Sequence, residues 1–306
     1  MFGDNAAMRL HDLGKSGPRV SRVGLGCNNF GLRLDLERTR AVVEAALAEG
    51  ITFFDTADIY GGGDSERFLG EILQGRREQV VLATKFGMAD DGCGSRDYAR
   101  RSIAASLERL GTDYVDLYYY HRPDGVTPIA ETIQAMAELV EEGTVRAFGV
   151  SNFSVEQLDE AVRAGPVTAL QNRYNLLERD AEADVIPRCG ELGVAFIPYF
   201  PLASGLLTGK YRRSQPPPSG SRLENRRDAL SDEAFDRVER LEEFAEVRRR
   251  SLLELAIAGL ASQSPVGSVI AGATSPEQVR QNAAAGEWDL SEDELAELLG
   301  ANEGAQ

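Results

Sequence analysis

The sequence predicts a (β/α)8 barrel, and three observations lead there. Eight short strand-forming runs alternate with helical runs along the chain. The connections are mostly short, which favours parallel strands joined by right-handed crossovers. The competing doubly wound sheet lacks its signature, because the first strand ends Gly24-Leu-Gly26-Cys-Asn-Asn-Phe-Gly31 and the glycine spacing fails the GxGxxG pattern. Gly205-Leu-Leu-Thr-Gly-Lys210 likewise falls short of a P-loop, with three residues between its glycines and Tyr211 after the lysine.

The elements follow in order. Met8–Val20 has turn residues at Gly14-Lys15 and Gly17-Pro18 and reads as an N-terminal hairpin or a lid. The strands are expected at Val20–Gly26, Ile51–Asp55, Gln79–Lys85, Tyr114–His121, Val145–Ser151, Val167–Gln171, Val194–Tyr199 and Val266–Gly272. Helices are expected at Leu36–Glu49, Ser65–Leu73, Ser95–Leu110, Pro128–Glu142, Val155–Ala164, Ala181–Leu192 and Pro276–Ala285. Gly50, Gly111 and Gly143 stand where helices commonly stop. A long insert, Pro201–Arg250, follows the seventh strand. Its Gln215-Pro-Pro-Pro-Ser-Gly220 is incompatible with helix or strand, whereas Asp232–Arg250 carries Phe235, Val238, Leu241, Phe244 and Ala245 at helical spacing. Barrel loops at this end face the substrate, so the insert is either surface decoration or a lid. Ser291–Leu299 reads as a short C-terminal helix opened by a Ser291–Glu294 capping box. One barrel domain spanning residues 1–306 is expected.

Composition narrows the function. The 306 residues carry a formal charge of −16, which argues against nucleic acid or an anionic membrane as partner. Cys27, Cys93 and Cys189 are scattered and match neither a disulfide framework nor a metal spacing, so a reducing, cytoplasmic setting is expected. Met1–Leu10 has no apolar signal core, and no apolar run is long enough to span a bilayer. Oligomeric state leaves no readable signature.

The chemistry is concentrated at strand ends. Ile51-Thr-Phe-Phe-Asp55 runs apolar into a carboxylate, and a short turn then delivers Tyr60 and Gly61-Gly62-Gly63. The next strand ends at Lys85 and the one after at His121. These are one of only three lysines (Lys15, Lys85, Lys210) and one of only two histidines (His11, His121). Each alone has an ordinary reading as a capping, packing or salt-bridged residue. Adjacent parallel strands lie about 4.8 Å apart, so in a barrel the three tips converge within roughly 10 Å. Tyr60 can lean back over them.

This set suits proton transfer to a carbonyl oxygen. A free tyrosine has a pKa of about 10, a nearby ammonium is expected to lower it, and a carboxylate beyond the lysine keeps the ammonium charged. His121 can orient the substrate oxygen as charge develops. Such a site needs an external reductant. No HExxH or other metal grouping is visible, and no GxSxG elbow supports a serine nucleophile. A Schiff-base aldolase using Lys85 is the competing enzymatic class, disfavoured because a nucleophilic lysine must be neutral.

At these residues the chain resembles the aldo-keto reductases. The matching stretches are Phe54-Asp-Thr-Ala-Asp-Ile-Tyr60-Gly, Ala83-Thr-Lys85, Asp116-Leu-Tyr-Tyr-Tyr-His121-Arg-Pro-Asp124, Gly149-Val-Ser-Asn152, Gln171-Asn-Arg-Tyr-Asn175 and Tyr199-Phe-Pro-Leu202. The resemblance implies a barrel binding an extended nicotinamide dinucleotide across its strand tips, with an aldehyde or ketone, or the corresponding alcohol, as small-molecule substrate. It implies Tyr60 as proton donor, Lys85 and Asp55 as its tuning pair and His121 as the orienting residue. It further implies that Ser151, Asn152 and Gln171 hold the carboxamide and that Tyr199 stacks on the nicotinamide. The loop containing Phe200, Leu202, Ser204 and Gly205, with Lys210 beyond it, would cradle the pyrophosphate. Gly272, Thr274, Ser275, Gln278 and Asn282 would hold the adenosine end. NADP(H) is the implied cofactor and NAD(H) is also compatible, because Gly272-Ala-Thr-Ser-Pro-Glu-Gln278 offers no cation for a 2′-phosphate before Arg280. Some relatives of this fold are cofactor-binding accessory or sensing subunits with little turnover, which is the non-catalytic alternative. The pocket walls are expected from Phe30, Met88, Phe200 and Tyr211.

Overall fold

A computed structural model describes residues 8–89, 91–226 and 230–300. The barrel strands are β3 (Val23–Gly26), β4 (Phe53–Asp55), β5 (Val81–Phe86), β6 (Val115–Tyr120), β7 (Val145–Ser151), β8 (Ala169–Arg173), β9 (Ala195–Tyr199) and β10 (Val269–Gly272). They are all parallel and run in the order β10-β3-β4-β5-β6-β7-β8-β9. A parallel bridge between Phe196 and Val266 joins the two ends of that order, with the Phe196 amide donating to the Pro265 carbonyl at 3.0 Å and the Gly267 amide to the Phe196 carbonyl at 3.0 Å. The strands lie within two residues of their expected bounds, save that β3 begins at Val23 rather than Val20, which belongs to the hairpin, and β10 at Val269 rather than Val266.

Helices α1 (Leu36–Ala48), α2 (Asp64–Ile72), α3 (Arg96–Leu110), α4 (Ile129–Glu141), α5 (Val155–Ala164), α6 (Val185–Leu192), α7 (Asp232–Val247), α8 (Leu252–Ala261), α9 (Pro276–Ala285) and α10 (Glu292–Gly300) surround the sheet. Helix α8 is absent from the sequence reading. Its residues Leu252 and Leu255–Ala261 are all buried, so it shows no polar face and no amphipathic period. Helix α7 stops at Val247 rather than Arg250. The capping box of α10 is present, the Ser291 amide donating to Glu294 Oε2 at 2.9 Å and the Glu294 amide to Ser291 Oγ at 3.2 Å.

Two cores result from the strand alternation. Phe53, Ala83, Leu117, Ala147, Ala169 and Ile197 point into the lumen, whereas Phe54, Leu82, Tyr118, Phe148, Leu170 and Phe196 face the helices. Carrying the inward set upward by steps of two aims Asp55, Lys85, His121, Ser151 and Gln171 into the top of the barrel. Alternation thus points the site residues inward.

The N-terminal segment forms an antiparallel hairpin, β1 (Leu10–Asp12) and β2 (Arg19–Ser21). Of the two sequence readings, the hairpin is right and the lid is not. Leu13 and Val20 are fully buried in the luminal core, and Gly14 sits so close to the chain before β8 and β9 that a side chain there would meet the Thr168 carbonyl oxygen at 2.5 Å. These are the strands' N-terminal ends, so the hairpin floors the barrel opposite the strand tips. Leu13→Ala is expected to cost about 2–5 kcal/mol of unfolding free energy, as for other buried leucines, read from urea titration.

Candidate active site

The buried pair Lys85 and Asp55 is the centre of the upper lumen. Lys85 Nζ donates to Asp55 Oδ2 at 2.6 Å, to the Thr56 carbonyl at 2.8 Å and, weakly, to Tyr60 Oη at 3.5 Å. Three acceptors match the three protons of an ammonium. The other carboxylate oxygen, Asp55 Oδ1, accepts from Gln171 Nε2 at 2.9 Å, a bond from β8 on the opposite wall of the lumen. Burial pulls the lysine toward neutrality, but Asp55 and then Tyr60 reverse this and hold its pKa above the ordinary value. Lys85 is fully buried and does not line the cleft, which leaves a Schiff-base role without access to substrate.

Tyr60 opens a short helical turn whose next three residues, Gly61, Gly62 and Gly63, all have left-handed φ of 60°, 67° and 93°. At Gly61 a side chain would also meet the Phe30 carbonyl oxygen at 2.6 Å, so glycine is required by space as well as by φ. Behind the turn, buried Glu66 accepts from Thr84 Oγ1 at 2.5 Å and from Arg109 Nε at 2.6 Å, fastening α2 to the residue before Lys85. The tyrosine differs from the sequence expectation in one respect. Burial raises its pKa by more than the Lys85 ammonium lowers it, so the net shift is upward. Tyr60 is therefore fully protonated at neutral pH.

His121 stands at the tip of β6, its ring 6.2 Å from that of Tyr60 and nearly perpendicular. Burial, then the charges of Lys85 and Arg122, push its pKa down to about 3. The imidazole is neutral, and its buried Nδ1 has no partner among the described residues.

A cleft of about 660 Å³ opens over these groups, within the range of small-molecule sites. Tyr60, Asp55 and His121 line it, as do Ser151, Asn152, Gln171, Tyr199, Phe200, Leu202, Ser204, Gly205, Lys210, Gly272, Thr274, Gln278 and Asn282. Ser275 is the exception among the expected binding residues. It caps α9 instead, accepting from the Gln278 amide at 3.3 Å. Asn152 Nδ2 donates to the His121 carbonyl at 2.9 Å and to Ser151 Oγ at 3.1 Å, while its Oδ1 accepts from Tyr199 Oη at 2.7 Å. Ser151 Oγ donates onward to the Gln171 carbonyl at 2.7 Å.

The pocket walls differ from expectation. Phe30 and Tyr211 are buried in the outer core and do not line the cleft; Met88 and Phe200 do. Sequence reasoning missed Ile59 and Arg122, which flank Tyr60 and His121 and were detectable by adjacency. It also missed Leu253, hidden in the unrecognised α8, Arg33, in the connection between β3 and α1, and Arg222, which only the folded insert brings to the cleft. The insert crosses the mouth: Arg222 donates to Asn28 Oδ1 at 3.1 Å and Asn29 Oδ1 at 2.8 Å, and Arg33 donates to the Gly220 carbonyl.

Two features fit an extended anion. The cleft is lined by four cations, Arg33, Arg122, Lys210 and Arg222, against one acid, Asp55, which Lys85 already neutralises. None of the four forms an ion pair with a carboxylate among the described residues, in a chain of net charge −16. The loop after β9 also has Phe200, Ala203, Ser204 and Gly205 at positive φ, a cradle in which the Ser204 amide is left out of the loop's own hydrogen bonding. Among the described residues no His, Cys, Asp and Glu group could hold a metal, and no helix is long and apolar enough to cross a membrane.

The comparisons with known proteins agree with this fold. The model of the aldo/keto reductase family matches residues 22–303. A relative from Glycine max, named probable aldo-keto reductase 1, is 36% identical over 94% of this chain and 87% of its own. One from Oryza sativa subsp. japonica, named probable voltage-gated potassium channel subunit beta, is 36% identical over 90% of each chain. Among solved structures, the glycerol dehydrogenase of Gluconobacter oxydans superposes with a TM-score of 0.82 at 29% identity, covering 97% of this chain and 96% of that one. An aldo-keto reductase of Bacillus halodurans in its holo form gives a TM-score of 0.82 at 32% identity, with 96% of each chain covered. The fold and site define a barrel oxidoreductase that works with a nicotinamide cofactor. The chain belongs to the aldo-keto reductase family.

His121 supplies a direct check. Its folded pKa lies below the unfolded value of about 6.5, so the stability it contributes is present above about pH 6.5 and is lost as pH falls toward 3. With two histidines in the chain, NMR of the imidazole resonances is expected to show no titration of His121 between about pH 5 and 8.

Proposed function

We propose that this protein reduces aldehydes or ketones, or oxidises the corresponding alcohols, using NADP(H), with Tyr60 as general acid. The observation that carries this reading is the chain of contacts from Gln171 through Asp55 and Lys85 to Tyr60 at the floor of a cationic cleft. When bound, the nicotinamide cofactor supplies or accepts the hydride. Ser151, Asn152 and Gln171 would hold its carboxamide, Tyr199 its ring, and the Leu202–Gly205 loop with Lys210 its pyrophosphate.

The protein's own groups handle the proton. Tyr60 Oη donates to the carbonyl oxygen, and the Lys85 ammonium lowers the cost of the tyrosinate that forms. Asp55 keeps that ammonium charged. His121, neutral across the physiological range, hydrogen-bonds the same oxygen through Nε2, which carries the proton because an unpartnered buried N–H at Nδ1 would be costly. In the oxidative direction Tyr60 takes the proton back.

The cofactor preference rests on the insert. Arg280, the cation nearest the adenosine stretch in sequence, pairs with Glu277 and does not line the cleft. Arg222 does line it, held by Asn29, whose Nδ2 in turn donates to the Ala273 carbonyl at 3.1 Å. A cation at the end of β10 favours the 2′-phosphate of NADP(H) over NAD(H).

The second reading, a cofactor-binding accessory subunit, is favoured by the relatives named for a potassium channel beta subunit. Turnover separates the two. Purified protein should quench NADPH fluorescence at micromolar cofactor and oxidise it with a panel of aldehydes and ketones; quenching without turnover supports the accessory reading, and no quenching defeats both. Tyr60→Phe is expected to lower kcat by about 100-fold or more while cofactor still quenches. Arg222→Ala is expected to shift the NADPH-to-NADH ratio of Kd by roughly tenfold toward NADH, measured by fluorescence titration.

A further inference from the structure

The four cations of the cleft do not form one group. Arg33 and Arg222 are engaged with the Gly220 carbonyl and with Asn28 and Asn29, and Lys210 Nζ packs so closely on Gly205 that a side chain there would meet it at 2.9 Å. These three belong to the cofactor's anions. Arg122 follows His121 directly at the substrate end, lines the same cleft, and has no hydrogen bond or ion pair among the described residues.

Arg100 is clamped by Glu142 and Arg188 by Asp159 and Glu191, whereas Arg122 has no such acid among the described residues. Asp124, two residues along the chain, and Asp55, on the same cleft, are both engaged elsewhere. Asp124 accepts from the amides of Gly94, Val126 and Thr127 and from Thr127 Oγ1, while Asp55 is held by Lys85 and Gln171. Arg122 therefore lines the cleft beside a neutral histidine, with no carboxylate partner among the described residues. The flanking walls are apolar: Ile59 and Met88 also line the cleft and remain 43% and 37% exposed, among the few large apolar side chains left open to solvent.

We propose that Arg122 selects carbonyl substrates bearing a carboxylate on an apolar body. The carboxylate pairs with the planar guanidinium, the apolar body lies against Ile59 and Met88, and the carbonyl oxygen reaches Tyr60 and His121. This rests on the reductase reading above and assigns its substrate class.

The test uses the full chain with saturating NADPH and two aldehydes of similar shape, para-carboxybenzaldehyde and para-methylbenzaldehyde. The quantity read is the ratio of their kcat/KM values. Arg122→Gln is expected to reduce that ratio roughly tenfold or more, mainly through the KM of the carboxylate substrate, and Arg122→Lys to restore part of it. In the unmodified protein, raising NaCl to about 0.5 M should also lower the ratio, because screening weakens an exposed charge pair. A ratio that stays within about twofold in Arg122→Gln and is insensitive to salt overturns the role of Arg122 and leaves the reductase reading standing. Absence of turnover with either aldehyde, in protein that binds NADPH, overturns both.

Discussion

A charged lysine enclosed on all sides is the constraint on which the upper barrel depends. An isolated ammonium would be prohibitive in that setting, so Lys85 requires every one of its acceptors. Asp55 provides the charge, the Thr56 carbonyl a second acceptor and Tyr60 a third at longer range. The carboxylate in turn needs its second oxygen satisfied, and Gln171 reaches across the lumen to do so. Four residues from β4, the turn after it, β5 and β8 thereby fix one another. Removing any one leaves a buried charge or polar group short of a partner, which costs more than the pair contributes when complete.

The rest of the molecule can be read as support for that lumen. The hairpin and the apolar luminal side chains fill the floor, and the site's polar groups collect at the top. Glu66, Thr84 and Arg109 tie α2 and α3 to the strand that carries Lys85. Above, the insert lays Arg222 across the mouth onto Asn28 and Asn29. The outcome is an acidic protein with a cationic cleft, a local inversion of sign that concentrates anions where the chemistry is.

Much of this was legible beforehand because it follows from period and position. Strand alternation aims Asp55, Lys85 and His121 inward once they sit at successive strand ends, and scarcity of lysine and histidine marks them. Other features were not legible, each for a physical reason. Helix α8 is apolar all round because both of its sides are covered, so no periodicity betrays it. The hairpin's turn chemistry says nothing about which end of the barrel it closes. The direction of the Tyr60 shift depends on how completely the ring is buried, which opposes the effect of the lysine beside it.

The sequence by itself determined the barrel, the strand tips and the identity of the groups gathered there, since these depend on local pattern and residue type. Only the tertiary structure decided which cations face the cleft and which are already paired. Arg280 lies beside the expected adenosine stretch but pairs with Glu277, whereas Arg222 comes from a distant insert and Arg122 has no acid partner among the described residues, Asp124 being engaged by its own loop. Pairing is settled by distance in space, and a sequence records only distance along the chain.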